Sequence, residues 1–327
     1  MGFFTEWITT SPPFAAWLVL AAAFAVLAKS ADVFVESSVA LAERLHIPKL
    51  VIGIVLVSLA TTAPELSVSV FSALAGQPEM ALGNAIGSVI CNCGIALALC
   101  AVLSRKHVTV IPVVLRTTGT FLLLCAVLAF VFVAFDRRLG RIEGGALLVL
   151  FAGYLAFSYY QHKSGKSRDP LILETVEQDV GFSAPKLAIL FAVGLVGILL
   201  ASRFVVVSAV TIARSLHVPE TVIALTLVAL GTSIPEVATS VSAGLKGQGE
   251  LSAGNILGAN IMNICWVAGA SAVANPLSLK PRELYFMFPS MFVILAATLY
   301  ALRTGHKITR REGMVLALIY LAYLASF

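Results

Sequence analysis

The sequence predicts an all-α membrane protein with ten transmembrane helices, arranged as two five-helix repeats of inverted topology. Two observations lead to this prediction: a composition suited to lipid and a long internal repeat. Only 12% of the 327 residues are charged and 59% are hydrophobic, whereas soluble domains carry about 25% charged residues. Most of the chain is therefore expected to be surrounded by lipid.

Windows of roughly 20 mostly apolar residues, the length that crosses a bilayer, define the predicted helices. The first window has no basic N-terminal flank and is interpreted as a permanent span, with a signal peptide cleaved after AKSA, 28–31, as the alternative. The polar segment 162–184 separates a first half, 1–161, from a second half, 185–327. The predicted spans are 13–43, 50–75, 80–103, 112–134, 141–161, 185–213, 219–245, 250–274, 283–303 and 311–326.

The internal repeat occupies the second and third spans of each half. Residues 46–92 and 217–263 align without a gap: Glu236 minus Glu65 is 171, and the prolines and asparagines of the two copies differ by the same number. Hydrophobic similarity alone would not match Pro, Glu and Asn at one spacing. Because each half has an odd number of spans, the copies insert in opposite directions, and such repeats place ion sites near the bilayer midplane.

Each copy contains a polar interruption, TTAPE at 61–65 and TSIPE at 232–236. The proline removes an intrahelical hydrogen bond, so backbone carbonyls before it lose their donors. Directly after each proline is a carboxylate, Glu65 or Glu236, and a charged side chain at that depth costs several kcal/mol. Unpaired carbonyls beside two carboxylates predict a site for a hard cation.

The next span of each copy offers further oxygen ligands. The segments GNAIGSVICN, 83–92, and GNILGANIMN, 254–263, contain glycines where another helix is expected to approach closely. Ser88 and Asn92 are four residues apart and share a helix face. Hydroxyl and amide oxygens beside carboxylates suit Ca²⁺. The five cysteines lie in apolar spans as buried small hydrophobes and the five histidines at span ends, so no transition-metal cluster is predicted.

These motifs resemble the α-repeats of the cation/calcium exchanger superfamily, especially the sodium/calcium exchanger branch and its compact prokaryotic members. The signature is G-T-S-x-P-E followed by G-N-x-x-G-S-N-x-x-N, and a variant of it occurs here twice, as ATTAPE with GNAIGSVICN and as GTSIPE with GNILGANIMN. The resemblance implies a secondary active antiporter, not an enzyme, that exchanges Ca²⁺ against Na⁺ by alternating access. It also implies electrogenic transport with several Na⁺ per Ca²⁺ and no cofactor besides the transported ions.

The resemblance further implies a set of ion-binding residues. The carboxylates of Glu65 and Glu236 are expected to bind Ca²⁺ and Na⁺ in turn. The other implied ligands are the calcium-binding carbonyls of Thr61 and Thr232, the central amides of Asn92 and Asn263, and the sodium ligands Thr62, Ser233, Ser88 and the carbonyls of Ser58 and Ala229.

Three departures from the family pattern make the coupling ion less firmly indicated than Ca²⁺. In the first copy, Ala60 and Thr62 replace the usual Gly and Ser, and Thr62 keeps the hydroxyl. In the second copy, Ala259 replaces the serine that would be the counterpart of Ser88, so one sodium site is expected to lose a ligand. Asn263 stands where many prokaryotic and potassium-dependent relatives have Asp. Potassium dependence is therefore not expected.

Two alternatives stay open. In a Ca²⁺/H⁺ exchanger, protons would compete for the two close, desolvated carboxylates, although Gly87 and Gly258 stand where the proton-exchanging branch has a glutamate. A passive cation channel belongs to a different class and would need no counter-ion. Dependence of Ca²⁺ flux on a second ion gradient separates the channel from both exchangers.

The distribution of basic residues predicts the orientation. With the N-terminus outside, fourteen lysines and arginines fall at inside loops and six at outside loops, as the positive-inside rule requires. Both termini are therefore expected outside, with 162–184 in the cytoplasm and the protein in the plasma (inner) membrane. No basic cluster is interleaved with aromatic residues, so no nucleic-acid partner is predicted, and no obligate protein partner is evident.

One charged pair suggests a contact between the first and sixth spans. Arg203 minus Asp32 is also 171, so these residues occupy equivalent places in the two halves. They are predicted to form an ion pair if the two helices meet near the pseudo-twofold axis. The simpler alternative is that Asp32 pairs with Lys29, one turn earlier on its own helix.

Overall fold

The structure is a computed structural model that describes residues 13–45, 52–104, 107–163, 183–217 and 229–326. Within these ranges the chain is helical apart from turns and short strands. The helices are α1 (Pro13–Arg44), α2 (Ser58–Thr61), α3 (Ala63–Leu74), α4 (Pro78–Cys91), α5 (Ala98–Leu103), α6 (Pro112–Ala134), α7 (Arg141–Lys163), α8 (Ala184–Ser215), α9 (Ala229–Thr232), α10 (Ile234–Leu245), α11 (Gly249–Met262), α12 (Ala268–Ala274), α13 (Pro281–Arg303) and α14 (Arg310–Ala325).

Helices long and apolar enough to cross a membrane make this an integral membrane protein. Besides the single helices, the segments Gly53–Thr61 and Ala63–Leu74 are long and apolar enough only when they are taken together as one span, which is bent by 49°. The predicted span 219–245 lies partly outside the described residues, and 311–326 corresponds to the 16-residue α14. In the described part of the chain the seven unbent candidates are Phe14–Arg44, Pro78–Leu103, Leu115–Ala134, Arg141–Ser158, Ala184–Ser215, Gly249–Ala274 and Leu284–Arg303.

Three wide π-helical turns interrupt the regular helices of the described ranges, at Gly53–Val57, Asn92–Leu97 and Asn263–Val267. Two of them start at the equivalent asparagines Asn92 and Asn263. They join α4 to α5 and α11 to α12 without ending either span. Turns of this kind often mark functional sites, because they change which side chains face a neighbouring helix.

The spans differ strongly in how far they are covered by the rest of the protein. In the most apolar 18-residue stretch of each span, 78% and 83% of the residues are buried in α4–α5 and α11–α12, whereas 28% are buried in α1 and in α8. α8 packs closely on α1, where a Cβ at Gly194 would lie 2.7 Å from the backbone nitrogen of Phe34. The two repeat spans thus form the centre of the bundle, and the α1–α8 pair lies at its side.

The turns that follow α3 and α10 have the same geometry. Gly76 and Gly247 have φ angles of 76° and 70°, a left-handed conformation that favours glycine. After each glycine a glutamine amide bonds back five residues, with Gln77 N to Ser72 O at 2.8 Å and Gln248 N to Ala243 O at 2.7 Å. This is the Schellman arrangement that ends many helices. The two copies are therefore alike in backbone as well as in sequence.

Two short antiparallel ribbons connect the halves of the chain. Strand β1 (Val108–Thr109) pairs with β4 (Lys307–Ile308), and β2 (Arg138–Leu139) pairs with β3 (Leu277–Ser278). Each ribbon takes one strand from the first half and one from the second. The halves are therefore joined by backbone hydrogen bonds as well as by helix contacts.

The contacts of Asp32 differ from both predictions made for it. Ser242 Oγ donates to Asp32 Oδ1 at 2.7 Å, and Lys246 Nζ lies 3.6 Å from the same oxygen. Lys246 Nζ also donates to Glu36 Oε1 at 2.7 Å. Among the described residues the partners given to Asp32 thus lie on α10 or at its end. The reason is that α10 packs against α1 and brings its hydroxyl and ammonium groups to this face.

Candidate cation-binding site

The interrupted segment of each repeat forms a helix break followed by a new helix. α2 ends at Thr61 and α3 begins at Ala63, with Pro64 in its first turn. In the second copy α9 ends at Thr232 and α10 begins at Ile234. A proline is tolerated in a first turn because its missing N–H would have no partner there. The next residue, Glu65 or Glu236, is therefore placed at a helix N-terminus, where the backbone favours negative charge.

The two carboxylates lie at a junction of the two copies. Both Glu65 and Glu236 are 0% exposed. Ser233 Oγ donates to Glu65 Oε1 at 3.3 Å, and Thr62 Oγ1 donates to Glu236 Oε1 at 3.3 Å. Each carboxylate thus accepts a hydrogen bond from a hydroxyl of the opposite copy, which brings the two interrupted segments into contact.

Within the described ranges neither carboxylate has a basic partner. No ion pair found there involves Glu65 or Glu236, and the Oε2 atom of each has no hydrogen-bond partner among the same residues. Two buried like charges destabilise each other and lose their hydration. A cation that binds between them removes both penalties.

The asparagines of the G-N motif form the layer behind the carboxylates. Thr232 Oγ1 donates to Asn84 Oδ1 at 3.1 Å, and Thr61 Oγ1 donates to Asn255 Oδ1 at 3.4 Å. Asn84 Nδ2 also donates to the backbone oxygen of Glu65 at 3.4 Å. Asn84 and Asn255 were not predicted as site residues, although their equivalent positions in the repeated motif would have indicated them.

The other wall presents polar atoms without protein partners. Ser88, Asn92 and Asn263 are each 0% exposed. Within the described ranges, Ser88 Oγ, Asn92 Oδ1 and both amide atoms of Asn263 have no hydrogen-bond partner. Buried polar atoms are nearly always satisfied by protein, water or an ion. This wall can therefore supply ligands to a cation.

The remaining predicted ligands lie at the starts of α2 and α9. Ser58 is buried, its hydroxyl donates to the Ile54 carbonyl, and its own carbonyl accepts from Thr62 N at 2.9 Å. Ala229 is the first residue of α9. A side chain at Gly258 would collide with the Ile54 carbonyl and with Ser58 Oγ, as the predicted close approach of another helix requires. Among the described residues, a Cβ at Gly83 or Gly87 would meet nothing within 4 Å, so the close approach predicted there is not found. Among the described residues, no contact between Ser58 and either carboxylate is found.

Oxygen atoms dominate this site. Among the described residues, no group of three or more His, Cys, Asp or Glu side chains is placed to hold a metal ion. A cation bound here relies on two carboxylates together with hydroxyl, amide and carbonyl oxygens. Such a ligand set suits hard cations such as Ca²⁺ and Na⁺ rather than Zn²⁺ or Cu²⁺.

A helical membrane protein whose buried carboxylates meet between two equivalent segments belongs, by fold and site, to the class of secondary cation transporters. Comparison with known families makes this specific. A family model described as "Sodium/calcium exchanger protein" matches residues 15–160 and 186–327. The chain belongs to this family.

Relatives of known sequence and structure cover nearly the whole chain. CaxA of Alkalimonas amylolytica, named as a candidate antiporter, is 34% identical over 90% of this chain and 92% of its own. The sodium/calcium exchanger MaX1 of Methanosarcina acetivorans is 31% identical over 94% and 97%. A solved structure of the sodium-calcium exchanger NCX_Mj, soaked with Na⁺ and Sr²⁺, is 25% identical, has a TM-score of 0.81, and is matched over 97% of this chain and 99% of that one.

Proposed function

We propose that this protein is a secondary active antiporter that exchanges Ca²⁺ against Na⁺ across the membrane by alternating access. The observation that carries the proposal is the pair of buried carboxylates, each hydrogen-bonded by a hydroxyl of the opposite repeat copy. The names of MaX1 and NCX_Mj as sodium/calcium exchangers support it. No enzymatic role or cofactor is part of the proposal.

The proposed ligands divide into two layers. Glu65 and Glu236 provide the negative charge, and the carbonyls of Thr61 and Thr232 complete the calcium site, while the hydroxyls of these threonines donate to asparagines. The proposed ligands around this centre are the amides of Asn92 and Asn263, the hydroxyls of Thr62, Ser88 and Ser233, and the carbonyls of Ser58 and Ala229.

Charge balance explains why the two ions exchange. The carboxylates of Glu65 and Glu236 together carry a charge of about −2, which one Ca²⁺ or two Na⁺ neutralise. The empty site keeps two buried negative charges without a cation to balance them, so a conformational change without a bound ion is disfavoured. After the site has carried one ion across the membrane, it can return only with the other ion bound.

Energetics favour several Na⁺ per Ca²⁺. A tenfold Na⁺ gradient supplies about 1.4 kcal/mol per ion, and about 100 mV supplies about 2.3 kcal/mol per charge. Three Na⁺ with one net charge release roughly 6.5 kcal/mol, more than the roughly 5.5 kcal/mol that a 10⁴-fold Ca²⁺ gradient requires. Two Na⁺ without net charge release only roughly 2.8 kcal/mol. The proposed exchange is therefore electrogenic.

The proposed architecture is ten transmembrane helices in two inverted five-helix halves, 1–161 and 185–327, joined by a cytoplasmic segment 162–184. The constant sequence offset between the copies, the matching turns at Gly76 and Gly247 and the reciprocal hydroxyl contacts support it. Basic residues concentrated on one side support both termini outside and a plasma-membrane location.

Uptake of ⁴⁵Ca²⁺ into proteoliposomes tests the proposal. Vesicles loaded with Na⁺ are diluted into Na⁺-free buffer, beside vesicles with a pH gradient alone and vesicles without any gradient. Uptake that requires the outward Na⁺ gradient and increases with an inside-positive potential is the expected result. Uptake that is insensitive to the membrane potential would contradict the electrogenic stoichiometry.

Other outcomes separate the alternatives. Uptake driven by the pH gradient alone would replace Na⁺ by H⁺ as the coupling ion, because buried carboxylates bind protons as well as Na⁺. Ca²⁺ flux that needs no gradient of a second ion would indicate a passive channel and contradict antiport. The Glu65→Gln and Glu236→Gln variants provide the inactive controls.

A further inference from the structure

A chain of hydrogen bonds fixes the amide of Asn92 from behind. Asn92 Nδ2 donates to Asn260 Oδ1 at 3.2 Å, and Asn260 Nδ2 donates to Cys93 Sγ at 3.1 Å. All three residues are 0% exposed. Neither Asn260 nor Cys93 belongs to the set of ion ligands proposed above.

This chain determines which atom Asn92 presents to the site. An asparagine amide has a donor end and an acceptor end, and a half-turn of the amide exchanges them. Because Nδ2 of Asn92 is bonded to Asn260, its Oδ1 points away from this contact and has no hydrogen-bond partner among the described residues. An oxygen without a partner attracts a cation, whereas an NH₂ group in the same place would repel it.

The other end of the Asn260 amide contacts the thiol of Cys93. Sulfur is a weak hydrogen-bond acceptor, and Cys93 Sγ accepts from the Nδ2 end of Asn260. The Oδ1 end of Asn260 is therefore directed at Asn92. Loss of either residue frees the Asn92 amide to rotate.

The second copy has no equivalent chain. At the repeat offset, the counterpart of Asn260 is Val89, and the counterpart of Cys93 is Ile264. Within the described part of the chain, neither amide atom of Asn263 has a hydrogen-bond partner. Among the described residues, one central amide is thus held by a partner and the other has none.

We propose that Asn260, held by Cys93, is a positioning residue that directs the Asn92 carbonyl oxygen toward the transported cation. The unrestrained amide of Asn263 adapts to whichever ion is bound. This inference rests on the proposed function, because it requires Asn92 to contact the ion. It adds a residue that acts on the ion through another side chain.

The test is the concentration of Ca²⁺ that gives half-maximal Na⁺-driven uptake. Asn260→Val, which copies Val89, is expected to raise this concentration about tenfold, the effect of losing one hydrogen bond or ligand to a charged group. The maximal rate is expected to stay within about twofold. A change in maximal rate alone would contradict a positioning role.

Cysteine variants provide a second, milder test that does not remove a large side chain. Cys93→Ala is expected to raise the half-maximal Ca²⁺ concentration several-fold, and Cys93→Ser, whose oxygen also accepts from an amide, is expected to restore it. Cys125→Ala is the matched control, because Cys125 is equally buried at 0% exposure but lies in α6. Equal effects of Cys93→Ala and Cys93→Ser would overturn the inference.

The double variant Asn92→Ala/Asn260→Val shows whether Asn260 acts through Asn92. If it does, Asn260→Val adds nothing once Asn92 is alanine. An equal further loss in that background, or an effect of Asn92→Ala without any effect of Asn260→Val, would overturn the inference while leaving the exchange function intact. Absence of Na⁺-driven uptake in the unchanged protein would instead overturn the proposed function.

Discussion

The two repeat copies share a frame around the carboxylates but differ in the proposed ion-binding wall, which the following span of each copy provides. The frame contains Glu65 and Glu236 at the starts of α3 and α10, each contacted by a hydroxyl of the other copy. The asparagines Asn84 and Asn255 behind it accept from equivalent threonines. Both copies keep these features because each copy supplies a hydroxyl to the carboxylate of the other.

The wall is not repeated. Ser88 stands in the first copy where the second has Ala259, and Asn260 replaces Val89. Asn92 is held in one orientation, whereas neither amide atom of Asn263 has a partner among the described residues. The two copies therefore contribute one carboxylate each and so equal charge, but their walls carry different polar groups. A difference in ion preference between the two sides would come from the wall and not from the carboxylates.

The largest expected effect concerns the shared frame. Glu65→Gln and Glu236→Gln should each reduce Na⁺-driven Ca²⁺ uptake more than about 100-fold, since removing one buried charge of a coupled site costs ~3 kcal/mol or more. The matched controls are Glu79→Gln and Glu250→Gln, which also lie in first helical turns and also occupy equivalent positions in the two copies. A large loss in only one of the two site variants would break the symmetry argument.

The reciprocal hydroxyls should give smaller, equal effects. Thr62→Val and Ser233→Ala each remove one hydrogen bond to a carboxylate of the opposite copy, which corresponds to about a tenfold rise in the half-maximal Ca²⁺ concentration. Ser67→Ala is the control, because Ser67 Oγ bonds within its own helix, to Ala63 O at 2.9 Å. Unequal effects of the two site variants would show that the copies bind Ca²⁺ differently.

The difference between Ser88 and Ala259 should affect Na⁺ more than Ca²⁺. Ser88→Ala is expected to raise the Na⁺ concentration for half-maximal exchange about threefold, and Ala259→Ser to lower it by a similar factor, since each changes one neutral hydroxyl ligand. Both positions are 0% exposed. Na⁺ titrations of Ca²⁺ uptake measure the change, and a shift in the same direction for both variants would contradict the account.

The smallest effect concerns a contact outside the site, made by a residue of the second copy. Lys246, whose counterpart is Ala75, donates to Glu36 at 2.7 Å, and their side chains are 27% and 66% exposed. Lys246→Met should therefore lower stability by only about 0.5 kcal/mol, and less at high salt. Thermal unfolding in detergent at low and high ionic strength measures this.

The pH dependence of that contact follows from the lysine. The hydrogen bond to Glu36 raises the pKa of Lys246 above its usual value. A raised lysine pKa adds stability that is complete below about pH 10.4 and is lost as the pH rises through the folded-state pKa. The Lys246→Met difference should thus be constant between about pH 6 and 9. A difference that changes within this window would indicate another titrating partner.

The sequence predicted the frame better than the wall. The constant spacing between the copies indicated both glutamates, and the predicted span 112–134 has the same bounds as α6. The predicted span 50–75 did not show that the helix divides at Thr62, because proline can either bend a helix or begin one. All five cysteines are buried and free, as predicted.

Contacts across the bundle could not be predicted from one sequence. The bonds of Thr62 and Ser233 join residues 174 and 168 positions apart, which depends on how the two copies pack against each other. The π-helical turns at Asn92 and Asn263 add no visible change to an apolar pattern. The orientation of the Asn92 amide depends on Asn260, which matches an asparagine of the family signature, but the signature does not show that its side chain bonds to Asn92.

Equilibrium binding of ⁴⁵Ca²⁺ to the purified protein tests most directly whether the two copies form one site shared by both ions. The account predicts one Ca²⁺ per chain, displaced by Na⁺ with a steep concentration dependence, and no binding in either Glu65→Gln or Glu236→Gln. Two Ca²⁺ per chain, with one lost in each variant, would show two separate sites. Binding of Ca²⁺ that Na⁺ does not displace would contradict competition at a common site.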